Sequence, residues 1–181
     1  YSTPNKSDIY IFFAGHGLAS TDGKELYLLP YDGEPSLLED TALLRSEIFY
    51  TIKTINPKSV TIFLDACYSG QTRDNDMILA DARAITITPG ESDVPENFTV
   101  FSASSGSEIS GSLPEADHGL FSYFLMKGLE GDADANNDKK ITNGELHSYV
   151  RSNVTRQAVR LGREQTPQLQ GDENRVLVEF N

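Results

Sequence analysis

Val60-Thr61-Ile62-Phe63-Leu64 is an apolar run that opens into Asp65-Ala66-Cys67-Tyr68-Ser69-Gly70. A short run rich in β-branched and aromatic residues, closed by a glycine turn, reads as a buried strand. This strand delivers the chain's single cysteine to an exposed turn. About fifty residues upstream, Ile9-Tyr10-Ile11-Phe12-Phe13-Ala14 runs into Gly15-His16-Gly17 in the same way. Between the two, from Thr41 to Ile55, Leu43, Leu44, Ile48, Phe49, Ile52 and Ile55 recur at helical spacing. Asp40 or Thr41 is the expected N-cap and Asn56-Pro57 the stop. Strand, helix, strand is the crossover that parallel neighbours require, and its handedness places both strands in one sheet. Reactive groups of open α/β sheets collect outside the carboxyl ends of the strands, so Cys67 and His16 are expected to meet there.

Outward from this unit, Glu25-Leu26-Tyr27-Leu28-Leu29 reads as a short strand stopped by Pro30. Residues 71–97 are polar, carry Arg73 and Arg83, and read as a long mobile surface connection. Phe98-Thr99-Val100-Phe101 is a third strand. One helix starts near His118-Gly119 and buries Leu120, Phe121, Phe124 and Leu125; another runs from Thr142 to about Leu161 on Leu146, Val150, Val154 and Val159. Arg151, Arg156 and Arg160 form its wet face. Arg175 to Phe180 is the last strand. The pattern predicts one α/β domain over residues 1–181.

With 38% hydrophobic residues, nine Phe among them, the chain can bury a substantial core. A formal charge of −12 argues against nucleic acid as a partner, because Lys and Arg must neutralise phosphates, and it favours cationic partners. No apolar stretch reaches the roughly 20 residues of a membrane span, and no basic-then-apolar leader is present. The chain opens on Tyr1 rather than Met, which leaves an upstream segment open. One cysteine forms no internal disulfide, so a reducing, cytoplasmic compartment is expected.

A cysteine peptidase needs a thiolate, a neighbouring base, and N–H donors where charge develops on the substrate oxygen. A free thiol titrates near ~8.5, and an adjacent imidazolium lowers that by several units. Glycines flanking His16 let a peptide approach closely and leave the Gly17 N–H to form an oxyanion hole with that of Cys67. Each motif alone is weak, since a lone cysteine after a strand is commonly a small core residue. Together, each ending an apolar strand, they point to catalysis. His118 and His147 do not follow strands and read as structural.

Phe12-Phe13-Ala14-Gly15-His16-Gly17 and Asp65-Ala66-Cys67-Tyr68-Ser69-Gly70 resemble the two active-site motifs of the caspase-like cysteine peptidases, closest to the metacaspase and bacterial orthocaspase branch. Phe101-Ser102-Ala103-Ser104, His118-Gly119-Leu120-Phe121-Ser122-Tyr123 and Gln165-Thr166-Pro167-Gln168 with Gly171-Asp172 are similar to bacterial members. The resemblance spans nearly the whole chain. It implies a caspase-like three-layer sandwich with a mostly parallel central sheet, here without the amino-terminal β-α-β-α portion, and hence a companion amino-terminal polypeptide of the same domain. It implies cleavage after Arg or Lys, with Asp65 facing the substrate's basic side chain, although Asp65 also suits a turn cap. Glu108 is expected to add to that pocket or to be an exposed loop residue. Arg73 and Arg83 are candidate sites of self-cleavage. Asp74, seven residues past the nucleophile, corresponds to one ligand of a calcium site in metacaspases, whereas Arg45-Ser46-Glu47 stands where paired aspartates would complete it.

The chemistry itself requires no cofactor, yet calcium has a second candidate site. In the twelve residues Asp134 to Glu145, oxygen donors fall at Asp134, Asn136, Asp138, Thr142 and Glu145, with the Lys140 carbonyl between, in the register of an EF-hand-like loop. Lys139 stands where such loops carry glycine. The competing reading of Thr142-Asn143-Gly144-Glu145 is a capping box for the helix that follows. Two alternatives to a peptidase therefore stand beside it: an inactive caspase-like scaffold, and a calcium-binding interaction module.

Overall fold

The computed structural model describes residues 3–20, 23–66, 94–105, 108, 110–113 and 118–181. In chain order the strands are β1 (Asp8–Ala14), β2 (His16–Ala19), β3 (Leu26–Leu29), β4 (Leu43–Leu44), β5 (Ser59–Asp65), β6 (Phe98–Ser102), β7 (Ser112–Leu113), β8 (His118–Gly119), β9 (Lys140–Thr142), β10 (Gln168–Gln170) and β11 (Val176–Glu179). The helices are α1 (Leu38–Thr41), α2 (Arg45–Thr54), α3 (Leu120–Lys127) and α4 (Asn143–Arg160).

The central sheet has the order β1-β5-β6-β10. The first three strands are mutually parallel and β10 runs antiparallel to β6, so the sheet is mostly parallel. Side chains alternate across it with period two. Val60, Ile62, Leu64, Phe98 and Val100 pack on one face with Phe49, Ile48 and Ile52 of α2. Phe63 and Phe101, stacked with ring centroids 5.1 Å apart, face Leu120, Phe121, Leu125, Leu146, Val150 and Val154 of α3 and α4. Helices on both faces make three layers, and they explain why β5 is buried from Val60 to Asp65 and reads as a continuous apolar run. Burying each Phe or Leu contributes roughly 1.5–3 kcal/mol.

Two differences from the sequence-based expectation lie beside the crossover. The helix begins at Arg45, not Thr41, because Leu43 and Leu44 pair with Leu28 and Tyr27 of β3. Asp40 and Thr41 fall in the separate single turn α1, and the residue before α2 is Leu44, which offers no side-chain cap. The stop is as expected: Asn56 adopts φ 51°, a left-handed conformation that ends the helix. His16 and Gly17 lie in a strand rather than a turn, since β2 pairs along its length with β3 in the sheet β2-β3-β4.

The expected mobile connection also ends earlier than its composition suggests. Residues 71–93 lie outside the described residues, but Val94 packs in the α2-side core, the Phe98 N–H donates to the Pro95 carbonyl, and Asn97 Nδ2 donates to the Pro57 carbonyl at 2.9 Å. At the far edge of the sheet β1 turns Ile9, Ile11 and Phe13 inward and leaves Tyr10 59% and Phe12 56% exposed. Among the described residues no helix is long and apolar enough to cross a membrane.

Candidate active site

The site is built at the carboxyl end of β1 and β5. Their parallel register ends with Ala14 opposite Asp65, and one further bond, from the Gly15 N–H to the Asp65 carbonyl at 3.2 Å, holds the strands together past that point. His16 is two residues beyond Ala14, and Cys67 is two beyond Ala14's partner, Asp65. Cys67 itself lies outside the described residues, as do Arg73, Asp74 and Arg83. His16 is half-buried.

Gly17 stands opposite Leu28 in the antiparallel pairing of β2 and β3. Continuing that register, Ser20 faces Glu25, and the Ser20 N–H donates to the Glu25 carbonyl at 2.9 Å. Bonded and non-bonded pairs alternate along an antiparallel ladder, so the pair three positions away, Gly17 with Leu28, is a non-bonded one. Its N–H is directed away from β3. Among the described residues no strand pairs with β2 on that other side, where Gly17 is buried.

Asp65 is fully buried at the tip of β5. Its Oδ1 accepts the hydroxyl proton of Ser110 at 2.6 Å, and its Oδ2 accepts that of Ser122 in the first turn of α3. Hydroxyl donors on both oxygens are what a buried carboxylate requires to remain in a core. Ser110 is in turn held by Gln165, also fully buried: its Nε2 reaches Ser110 Oγ at 3.5 Å and the Ala103 carbonyl at 3.0 Å, and its Oε1 accepts the Gly111 N–H at 3.0 Å. Ser110, Ser122 and Gln165 are the residues that sequence reasoning missed. Two of them sit within motifs that carried the resemblance, and a serine on an apolar helix face was the signal available for Ser122.

Glu108 has both oxygens engaged within the chain. Oε2 accepts from the Ser105 and Thr166 N–H groups at 3.0 and 2.7 Å, and Oε1 accepts from Thr166 Oγ1 at 2.9 Å. This ties the segment after β6 to the one before β10. His147 Nε2 lies 3.2 Å from the Pro167 carbonyl, a structural contact as expected.

The loop from Asp134 to Glu145 closes on its own backbone. Asp134 accepts from the Asp138 and Lys139 N–H groups, Asn136 from Asp138, and Asp138 from Lys140. Lys139 takes φ 65°, the left-handed conformation for which that position favours glycine. Glu145 and Thr142 form a reciprocal capping box at the start of α4. Among the described residues no three acidic, histidine or cysteine side chains gather as a metal site.

No curated protein matches this chain. A protein-family model described as the caspase domain matches residues 2–178, which takes in every element described above save the last residue of β11. The chain therefore belongs to the caspase-domain family of peptidases.

Proposed function

We propose that the protein is a cysteine endopeptidase of the metacaspase and orthocaspase type that cleaves peptide bonds after Arg or Lys. The observation that supports this reading is the register of Ala14 with Asp65, residues that His16 and Cys67 each follow by two positions in sequence. Adjacent strands are ~4.8 Å apart, within side-chain reach of each other. His16 takes the thiol proton, and the Cys67 sulfur attacks the carbonyl carbon. The oxyanion is met by the Gly17 and Cys67 N–H groups, each such donor stabilising the transition state by roughly 3 kcal/mol. The imidazolium then protonates the leaving amine, and water releases the acyl group with His16 as base.

Basic specificity rests on Asp65, a carboxylate two residues before the nucleophile, and is consistent with the net charge of −12. An aspartyl substrate would be repelled by the same charge. A thiolate nucleophile must stay reduced, which suits a cytoplasmic setting. The exposed strip Tyr10 and Phe12 on β1 is proposed as the seat of the companion amino-terminal polypeptide. Arg73 and Arg83 are proposed sites of self-cleavage. Calcium at Asp134–Glu145 or at Asp74 is proposed to have no part in the chemical step.

Digestion of a peptide library by wild type and Cys67→Ala, each with and without calcium, tests the reading. Cleavage after Arg and Lys by wild type alone, and intact chains at Arg73 and Arg83 in Cys67→Ala, are expected. Preference for aspartyl bonds, or equal cleavage by Cys67→Ala, would contradict it.

A further inference from the structure

Arg45, the first residue of α2, is only 8% exposed. Its guanidinium carbon stands 5.5 Å from the centroid of the Phe49 ring, over the ring face. Among the described residues no hydrogen bond or ion pair reaches that guanidinium. A ring face attracts a cation but offers no lone pair, so the N–H donors of Arg45 are left without acceptors. A buried charge in that state is costly until an opposite charge joins it. The same turn carries a second unmet demand. α2 opens from Leu44 with no side-chain cap, so its first N–H groups and the positive end of its dipole lack a capping acceptor. Helical side chains tilt toward the N-terminus, so the Phe49 ring covers the turn that begins with Arg45. The guanidinium resting on that ring therefore lies beside the first-turn N–H groups. The acids of this region are exposed and occupied elsewhere or unpaired with it: Glu25 Oε2 accepts from Ser46 Oγ at 3.3 Å, and Glu47 makes no ion pair with Arg45.

We propose that Arg45 and the first turn of α2 bind a small free oxyanion of the phosphate class. A guanidinium gives such an ion two parallel charge-assisted hydrogen bonds, and a helix N-terminus gives it backbone donors. The near-complete burial of Arg45 admits a single inorganic ion rather than a polypeptide. The site belongs to the α2 face of the sheet, where Phe49 packs with Val60 and Phe98, and the proposal does not depend on the proteolytic reading.

The test is calorimetric titration of the full chain with inorganic phosphate, at an ionic strength held constant with sodium chloride, alongside thermal midpoints in the same buffers. Wild type is expected to take up one phosphate per chain, saturating below about 10 mM, and to melt higher for it. Arg45→Met, which keeps an apolar stem without the charge, should bind phosphate at least about tenfold more weakly. Arg45→Lys should bind with intermediate affinity, because an ammonium cannot form the paired bonds. Without phosphate, Arg45→Met should melt no lower than wild type, since it removes a buried charge that lacks a counter-charge; phosphate should then put wild type ahead. No saturable uptake by wild type in that range overturns the proposal. So does uptake undiminished in Arg45→Met, or in Arg45→Lys should the methionine variant fail to fold, because the ion would then sit elsewhere. An Arg45→Met protein that melts lower than wild type by the same margin in both buffers overturns it too, and leaves Arg45 a packing residue on Phe49.

Discussion

Tyr149 shows how a single side chain couples this fold to pH. Burial, then its hydrogen bond to Asp132 Oδ2 at 3.1 Å, then the charge of that carboxylate, raise its phenol from the ordinary 10.0 to about 12. The folded state thus holds a proton that the unfolded chain releases first. Its stabilising contribution is complete below pH ~10 and is lost as pH rises toward about 12. Urea midpoints measured across that window should fall less steeply in Tyr149→Phe than in wild type; identical slopes would refute the assignment. At the same scale, His16, Gly17, Cys67 and Asp65 stand out in the sequence as candidates because each abuts an apolar run. The hydroxyls around Asp65 were not, since Ser110 and Ser122 lie 45 and 57 residues from it in sequence and meet it through tertiary packing alone. Glu108 was visible as an acid, but only the structure shows Thr166 filling its oxygens.

Among the elements, β1, β5, β6 and α4 follow from pattern: two continuous or alternating apolar runs, a third strand, and a helix opened by its own capping box. β2 escaped because glycines on either side of His16 read as a turn, whereas pairing with β3 makes it extended. β10, Gln168-Leu169-Gln170, carries too little apolar character to announce a strand, and β6 recruits it. The segment after β10 depends on Gly171, which has φ 125° and lies against β6 so closely that a Cβ there would sit 2.6 Å from the Phe98 carbonyl oxygen and 2.9 Å from Thr99 Cα. Both obstacles are backbone, which cannot swing aside. Asn143 at the start of α4 depends on the same segment, donating to the Asp172 carbonyl at 2.7 Å and to Thr99 Oγ1 at 3.2 Å. Gly171→Ala should therefore destabilise the protein by about 2–3 kcal/mol or more, read as a lower thermal midpoint. A midpoint within a degree of wild type would show that this close approach does not matter.

For the molecule as a whole, two cores on opposite faces of one sheet fix the relative positions of the two strand ends. That architecture was legible from strand, helix, strand and the apolar faces of α3 and α4; the pairing in the auxiliary sheet β2-β3-β4 and the pair β7 and β8 were not, because β2, β4, β7 and β8 are two to four residues long and carry too little alternation to announce a strand. The exposed Tyr10 and Phe12 on the edge strand β1 mark the one place where this arrangement is proposed to need a companion polypeptide. Native mass measurement of the protein from its source should find a complex heavier than the 19.9 kDa chain, and a stable lone monomer would contradict the proposal. The central claim is the convergence of His16 on the Cys67 sulfur, and the most direct test is the rate at which an arginyl chloromethylketone alkylates the chain. Mass spectrometry should locate a single adduct on Cys67, formed at least a hundredfold more slowly in His16→Ala. An adduct forming equally fast without the imidazole, or none on Cys67, would contradict the account.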